Sequence, residues 1–101
     1  MFVYNITSKV DHEIVEKWLQ WQKQIHIPEI LATGLFFEHR FYKLADHKED
    51  DGETFAIQFL CESRLQYDAY LQHFAASLRE KSLMKWGDNI VSFRTLLESV
   101  Q

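Results

Sequence analysis

Residues 35–61 read LFFEHRFYKLADHKEDDGETFAIQFLC, and they decide the fold. Two apolar runs, 35–44 and 54–61, flank the polar segment 46–52, which is too hydrophilic for anything but a hairpin loop. The second run alternates Phe55, Ile57 and Phe59 against Ala56, Gln58 and Leu60, the period-2 pattern of a strand with both faces partly covered. Two consecutive strands joined by a short loop form an antiparallel pair. Their flanks then set the architecture.

On the N-terminal side, residues 2–8 alternate Phe2, Tyr4 and Ile6 with Val3, Asn5 and Thr7, as a strand does. Asp11 suits a helix N-cap, and Glu13 in the first turn suits the helix dipole. Ile14, Trp18, Trp21 and Ile25 follow at spacings of four, three and four, an apolar stripe widened by Val15 and Leu19. Pro28 is expected to break that helix near Ile27 and start a short turn ending at Gly34. On the C-terminal side, Ser63 and Gln66 have capping-box spacing ahead of the stripe Tyr67, Tyr70, Leu71, Phe74 and Leu78. Ser77 and Glu80 repeat that spacing and predict a restart. Gly87 ends the helix, and 89–97 read as a last strand.

The order β-α-β-β-α-β over residues 1–101 predicts one α+β domain of the ferredoxin-like plan: a four-stranded antiparallel sheet with both helices on one face. Alternation assigns Phe2, Tyr4, Ile6, Phe37, Phe41, Phe55, Ile57, Phe59, Val91 and Phe93 to the helix side. The other face then carries Val3, Asn5, Phe36, Glu38, Arg40, Tyr42, Gln58, Leu60, Ile90, Arg94 and Leu96. That face is too apolar for water and too polar for a monomer core. It predicts a homodimer packed sheet against sheet, with Phe36, Glu38, Arg40, Tyr42, Gln58 and Arg94 in the interface.

Composition narrows the function classes. The 101 residues include 15 aromatic side chains (3 Trp, 4 Tyr, 8 Phe) but only 3 Gly and 1 Pro, which disfavours disorder and a second domain. A formal net charge of −4 removes the electrostatic drive for nucleic-acid binding. Cys61 is the one cysteine, so neither an internal disulfide nor a thiolate zinc site is expected. No apolar run reaches membrane-spanning length and the first residues lack a leader pattern, so a soluble, cytoplasmic protein is expected.

The residues Trp18-x2-Trp21 and His26-Ile27-Pro28-Glu29-x2-Ala32-Thr33-Gly34-x-Phe36 resemble the signature of family 4286 of domains of unknown function, short bacterial proteins. Leu78-Arg79-Glu80-Lys81 and Phe93-Arg94-Thr95-x-Leu97-Glu98 are similar to its second half, so the likeness spans nearly the whole chain. The resemblance implies a dimeric α+β barrel, in which two ferredoxin-like sheets face each other. The wider superfamily holds cofactor-independent quinol monooxygenases, haem-degrading monooxygenases, muconolactone-type isomerases and non-catalytic ligand-binding domains.

The chemistry-bearing candidates are few. His26 at the expected helix break, with Glu29 one turn on, suggests an acid–base pair around a protonated imidazole. Trp18 and Trp21 suit the wall of a pocket for a flat apolar ligand, and His39 is placed on the helix side between Phe37 and Phe41. Packing explains the same residues: any core helix needs its Trp stripe, and His26 can cap carbonyls. Haem-degrading relatives pair a first-strand Asn with a Trp and a His near the second helix; Asn5 and His73 match two of these, but that helix contains no Trp. No cofactor is therefore expected. No metal site is expected either, because His12 and Glu16 lack a third ligand and the loop acids Asp46, Glu49, Asp50, Asp51 and Glu53 lack calcium-loop spacing. Arg94 with Gln58 and Asn5 suits a ligand carboxylate, whereas a pair with Glu38 would set dimer register; the pair is the favoured expectation.

The leading function is binding of a small, partly aromatic metabolite between helix one and the sheet. Two others stay open: a cofactor-independent monooxygenase or isomerase with His26 or His39 as base, and a structural or interaction module without a ligand.

Overall fold

A computed structural model describes residues 1–46 and 51–100. The strands are β1 (Phe2–Asp11), β2 (Glu38–Lys43), β3 (Gly52–Cys61) and β4 (Ile90–Glu98). They form one antiparallel sheet in the order β2-β3-β1-β4. Between β1 and β2 run α1 (Val15–Trp21), a π-helical turn (Gln22–His26) and α2 (Ile27–Leu31). Between β3 and β4 run α3 (Arg64–Tyr70), a second π-helical turn (Leu71–Ala75) and α4 (Ala76–Trp86). This is the ferredoxin-like α+β fold. Among the described residues no helix is long and apolar enough to cross a membrane.

Local signals account for much of this. Ser63 opens α3 with a full capping box, its hydroxyl accepting from Gln66 N and the Gln66 side chain accepting from Ser63 N. Gly87 closes α4 at φ 54°, in the left-handed region that favours glycine. Gly52 opens β3 rather than ending the loop, paired with Asp11, and a Cβ there would stand 2.6 Å from the Val10 carbonyl oxygen, so the position requires glycine. Residues 47–50 of the expected hairpin loop lie outside the described residues.

Several expectations are corrected. The β1 ladder runs on to Asp11, carried by fully buried Val10, so Asp11 makes no side-chain cap and a 3-10 turn (His12–Ile14) precedes α1. Pro28 does not break the helix. It has no N–H to continue the ladder, and the chain passes it by widening into a π turn in which Ile27 N donates to the Gln22 carbonyl. The wider turn keeps Trp18, Gln22, His26 and Ile30 in line on the sheet side and turns Ile25 out to 49% exposure. The second helix likewise does not restart at Ser77, whose hydroxyl donates to the Phe74 carbonyl 3.2 Å away. The irregularity there is the π turn before it.

The helix-facing core contains Tyr4, Trp18, Ile30, Phe59 and Tyr70, each at most 2% exposed. Phe36, expected on the outer face, belongs to this core: its ring lies 6.2 Å from Tyr4, 5.5 Å from Phe59 and 5.0 Å from Tyr70. Because it precedes β2, strand alternation does not govern it, and Phe37 is exposed in its place. The register of β4 is also inverted from the expected one. Tyr4, Ile6 and Ser8 pair with Leu96, Arg94 and Ser92, so these face the helices. Val91 and Phe93 point outward, 67% and 63% exposed.

Candidate functional site

The inversion of β4 builds the site. Ser92 and Arg94 come up on the helix side next to β1, where the Ser8 and Ser92 hydroxyls share a 2.7 Å hydrogen bond. The first π turn lowers Gln22 and His26 onto the same region, and α4 adds Arg79 and Ser82. These elements enclose an inner chamber of about 30 Å³, walled by Trp18, Ile57 and Phe59. That is room for about two waters or the polar end of a ligand. Between α4 and β4 a mouth of about 160 Å³, bordered by Arg79, Ser82, Ser92 and Arg94, leads outward.

Three side-chain atoms around the chamber are buried without a protein hydrogen-bond partner: Gln22 Oε1, His26 Nδ1 and Arg79 Nε. Arg79 is held from its other end, where Nη2 donates to the Tyr4 hydroxyl at 2.9 Å. The Trp21 ring stacks on His26, with centroids 4.3 Å apart and planes 16° from parallel, and Trp86 meets Trp21 edge-on at 5.8 Å. His26 therefore has a fixed plane.

Burial holds the His26 imidazole well below its ordinary value, at about 4; nearby Glu29 opposes this, while Lys81 and Arg94 add to it. His26 is thus neutral at pH 7, contrary to the protonated imidazole expected at a helix end, because the helix continues past it. An unfolded chain titrates this histidine near 6.5 and the folded one near 4, so the unfolded state binds the extra proton between those values. Stability is therefore full above pH 6.5 and falls as pH drops toward 4, by up to about 3 kcal/mol. Urea denaturation of the native chain and of His26→Gln across pH 7 to 4 checks this. The variant is expected to show a flatter profile, and parallel profiles would refute it.

The other expected site residues are scattered. Trp18 lines the chamber, whereas Trp21 supports His26 from behind. Glu29 makes no pair with His26 and instead binds Lys81 Nζ at 2.5 Å. His39 has the helix-side parity expected but sits exposed on β2, at the sheet edge opposite β4. Glu38 pairs with Arg40 at 3.6 Å on that same strand, so the expected Glu38–Arg94 pair does not form within the chain. Gln58 Nε2 donates to Asn5 Oδ1 at 3.3 Å on the outer face, away from Arg94. Asn5 and exposed His73 lie on different layers. Of the loop acids, Glu49 and Asp50 lie outside the described residues; Asp51 is held by Lys9 at 2.8 Å and Glu53 by Lys43 at 2.5 Å. Gln22, Arg79 and Ser82 also line the chamber and were not among the expected site residues. The available signal was the four-residue spacing of Trp18, Gln22, His26 and Ile30, which lines up only if the helix is wider than α.

A family model for the domain of unknown function DUF4286 matches residues 1–100. The chain belongs to this family. No curated protein sequence matches it. Among solved structures it is similar to a dimeric ferredoxin-like protein from an uncultured marine organism, at TM-score 0.72 and 14% identity, over 100% of this chain and 96% of that one. A putative antibiotic biosynthesis monooxygenase from Nitrosomonas europaea aligns at TM-score 0.66 and 11% identity, over the full length of both. SnoaB, a cofactor-independent oxygenase from Streptomyces nogalater, aligns at TM-score 0.63 and 11% identity, over 99% and 94%. At such identities the likeness establishes the shared fold.

Proposed function

We propose that this member of the DUF4286 family is a homodimeric small-molecule-binding protein whose ligand enters between α4 and β4 and places its polar end against Gln22 and His26. The three unpartnered polar atoms around one chamber carry this reading. Protein groups leave these three atoms to be satisfied by whatever occupies the chamber, a requirement that apolar side chains would avoid in a domain built only to pack. The small chamber restricts the buried part to a few heavy atoms, so any aromatic portion of the ligand occupies the mouth. The second copy packs on the outer sheet face, where Val91, Phe93, Leu97 and Tyr42 are exposed around the Asn5–Gln58 centre. A solved structure described as a dimeric ferredoxin-like protein shares the fold, which supports that assembly.

The test is side-chain NMR with a panel of small carboxylic acids, amides, phenols and quinols. Binders are expected to shift the Gln22, His26 and Trp18 resonances. Gln22→Met is expected to lose binding while changing stability by less than about 1.5 kcal/mol, since it fills a similar volume without a carbonyl to satisfy. A panel that leaves those resonances unmoved refutes the reading.

One observation favours a second reading, cofactor-independent oxygenase or isomerase chemistry. His26 is neutral, and its Nδ1 lines the chamber with no protein partner, as a base for a substrate proton must. The likeness to SnoaB adds fold-level support. Quinol-dependent oxygen uptake that is lost in His26→Ala would carry it.

A further inference from the structure

Arg79 and Arg94 face the same mouth from opposite walls, one on α4 and the other on β4. Among the described residues, no acidic side chain lies within ion-pair distance of either arginine. The nearby carboxylate of Glu29 is engaged by Lys81. In a chain of net charge −4, two unpaired guanidinium groups over a cavity form a local positive site. Gln22 and His26, only 5% and 8% exposed, leave Oε1 and Nδ1 without protein partners at its inner end.

We infer that the cleft takes a small carboxylate, its anionic group gripped between the Arg79 and Arg94 guanidinium groups and its remaining polar atom directed to Gln22 and His26. This rests on the ligand-binding reading above and names its class. The planar guanidinium fork matches a carboxylate edge, and Arg79 Nε is a donor already buried and unused. The Ser82 and Ser92 hydroxyls on the same walls supply further donors. Gln22 Oε1 accepts a hydrogen bond, so a hydroxy acid fits better than a simple one.

Binding of an anion also changes the proton balance of the cleft. His26 is faced by Glu29 on α2, Arg79 and Lys81 on α4, Arg94 on β4, Tyr4 on β1 and Tyr70 on α3, with Trp21 stacked on it. A bound carboxylate offsets the cations in that set and raises the imidazole. Affinity then rises as pH falls from 7 to 5.5, by about fourfold.

The experiment compares benzoate and lactate with their uncharged counterparts benzamide and lactamide, by calorimetry and by NMR of the His26 ring. Carboxylates are expected to bind about tenfold or more tightly than the amides. Arg94→Gln, on an exposed edge strand, is expected to erase that preference with folding intact, and Arg79→Gln serves as the second variant. The fourfold pH effect is expected to vanish in His26→Gln. Amides that bind as well as carboxylates and shift the same cleft resonances overturn the carboxylate assignment but leave the ligand site standing. Inorganic phosphate binding as tightly as lactate also overturns it. If neither carboxylates nor amides move the Gln22, His26 and Arg94 resonances, the ligand-binding reading falls with it.

Discussion

Trp18→Ala is expected to destabilise the fold by about 3–5 kcal/mol, a large share of the roughly 5–15 kcal/mol that holds a domain of this size together. The indole is 1% exposed and meets the rings of Phe55 at 5.1 Å and Phe41 at 5.8 Å, so it joins α1 to both strands of the β2–β3 pair. Its other edge walls the inner chamber, which truncation would open into a larger void. Neighbouring side chains belong to a rigid sheet and relax little, so both the transfer cost and the cavity cost apply. The midpoint of thermal unfolding is expected to drop on the order of 20 °C. Chemical denaturation followed by circular dichroism checks the free energy. A loss below 1 kcal/mol would mean that helix one is not anchored to the sheet through this side chain.

Phe93→Glu is expected to turn the proposed dimer into a monomer. Phe93 stands 63% exposed on the outer face of β4 beside Val91, which is 67% exposed, and its registered neighbour on β1 is Thr7. In a two-fold assembly one substitution places two carboxylates in the contact, one from each copy. Burying an unpaired carboxylate costs several kcal/mol, so dissociation is expected to increase on the order of a thousandfold or more. Size-exclusion chromatography with light scattering at micromolar concentration reads this directly. Leu83→Glu, an exposed position on the helical layer, is the control and is expected to stay dimeric. A native chain that elutes as a monomer, or a Phe93→Glu chain that stays dimeric, sinks the sheet-to-sheet arrangement.

The fold was legible because its signals are local and mutually consistent. Alternation marked β1 and β3, the Ser63 capping box placed the start of α3, and Gly87 does end α4 at φ 54°, whereas Gly34, at φ 79°, lies beyond the Ala32 cap of α2 in the turn that follows it. The site was legible only in part. His26 and Trp18, both candidates, line the chamber; Gln22 was not a candidate, because a helical wheel drawn at 3.6 residues per turn puts Ile25 rather than Gln22 on the buried stripe. One wider turn, next to a proline with no N–H, changes which side chains go inside. His39 has the right parity and the wrong strand, since parity does not reveal that β2 and β4 are opposite edges of the sheet.

Sequence by itself determined the order and kind of the elements, since hydrophobic period, capping residues and glycine positions act within a few residues of one another. It also determined that a sheet so rich in apolar side chains has more of them than one helical layer covers. Tertiary structure decided which face each edge residue takes. On β4, alternation distinguishes the set Ile90, Ser92, Arg94 from the set Val91, Phe93, but it carries no sign, and hydrophobicity argued for the wrong one. Pairing with β1 settled it: Ser92 lies opposite Ser8 and Arg94 opposite Ile6, which sends the polar set under the helices and the apolar set outward. A one-residue shift in a strand exchanges its faces at no local cost, so only the hydrogen-bonded register can choose between them. That choice brought Arg94 to the layer where Arg79 and His26 already stand and left Phe93 and Val91 exposed on the outer sheet face.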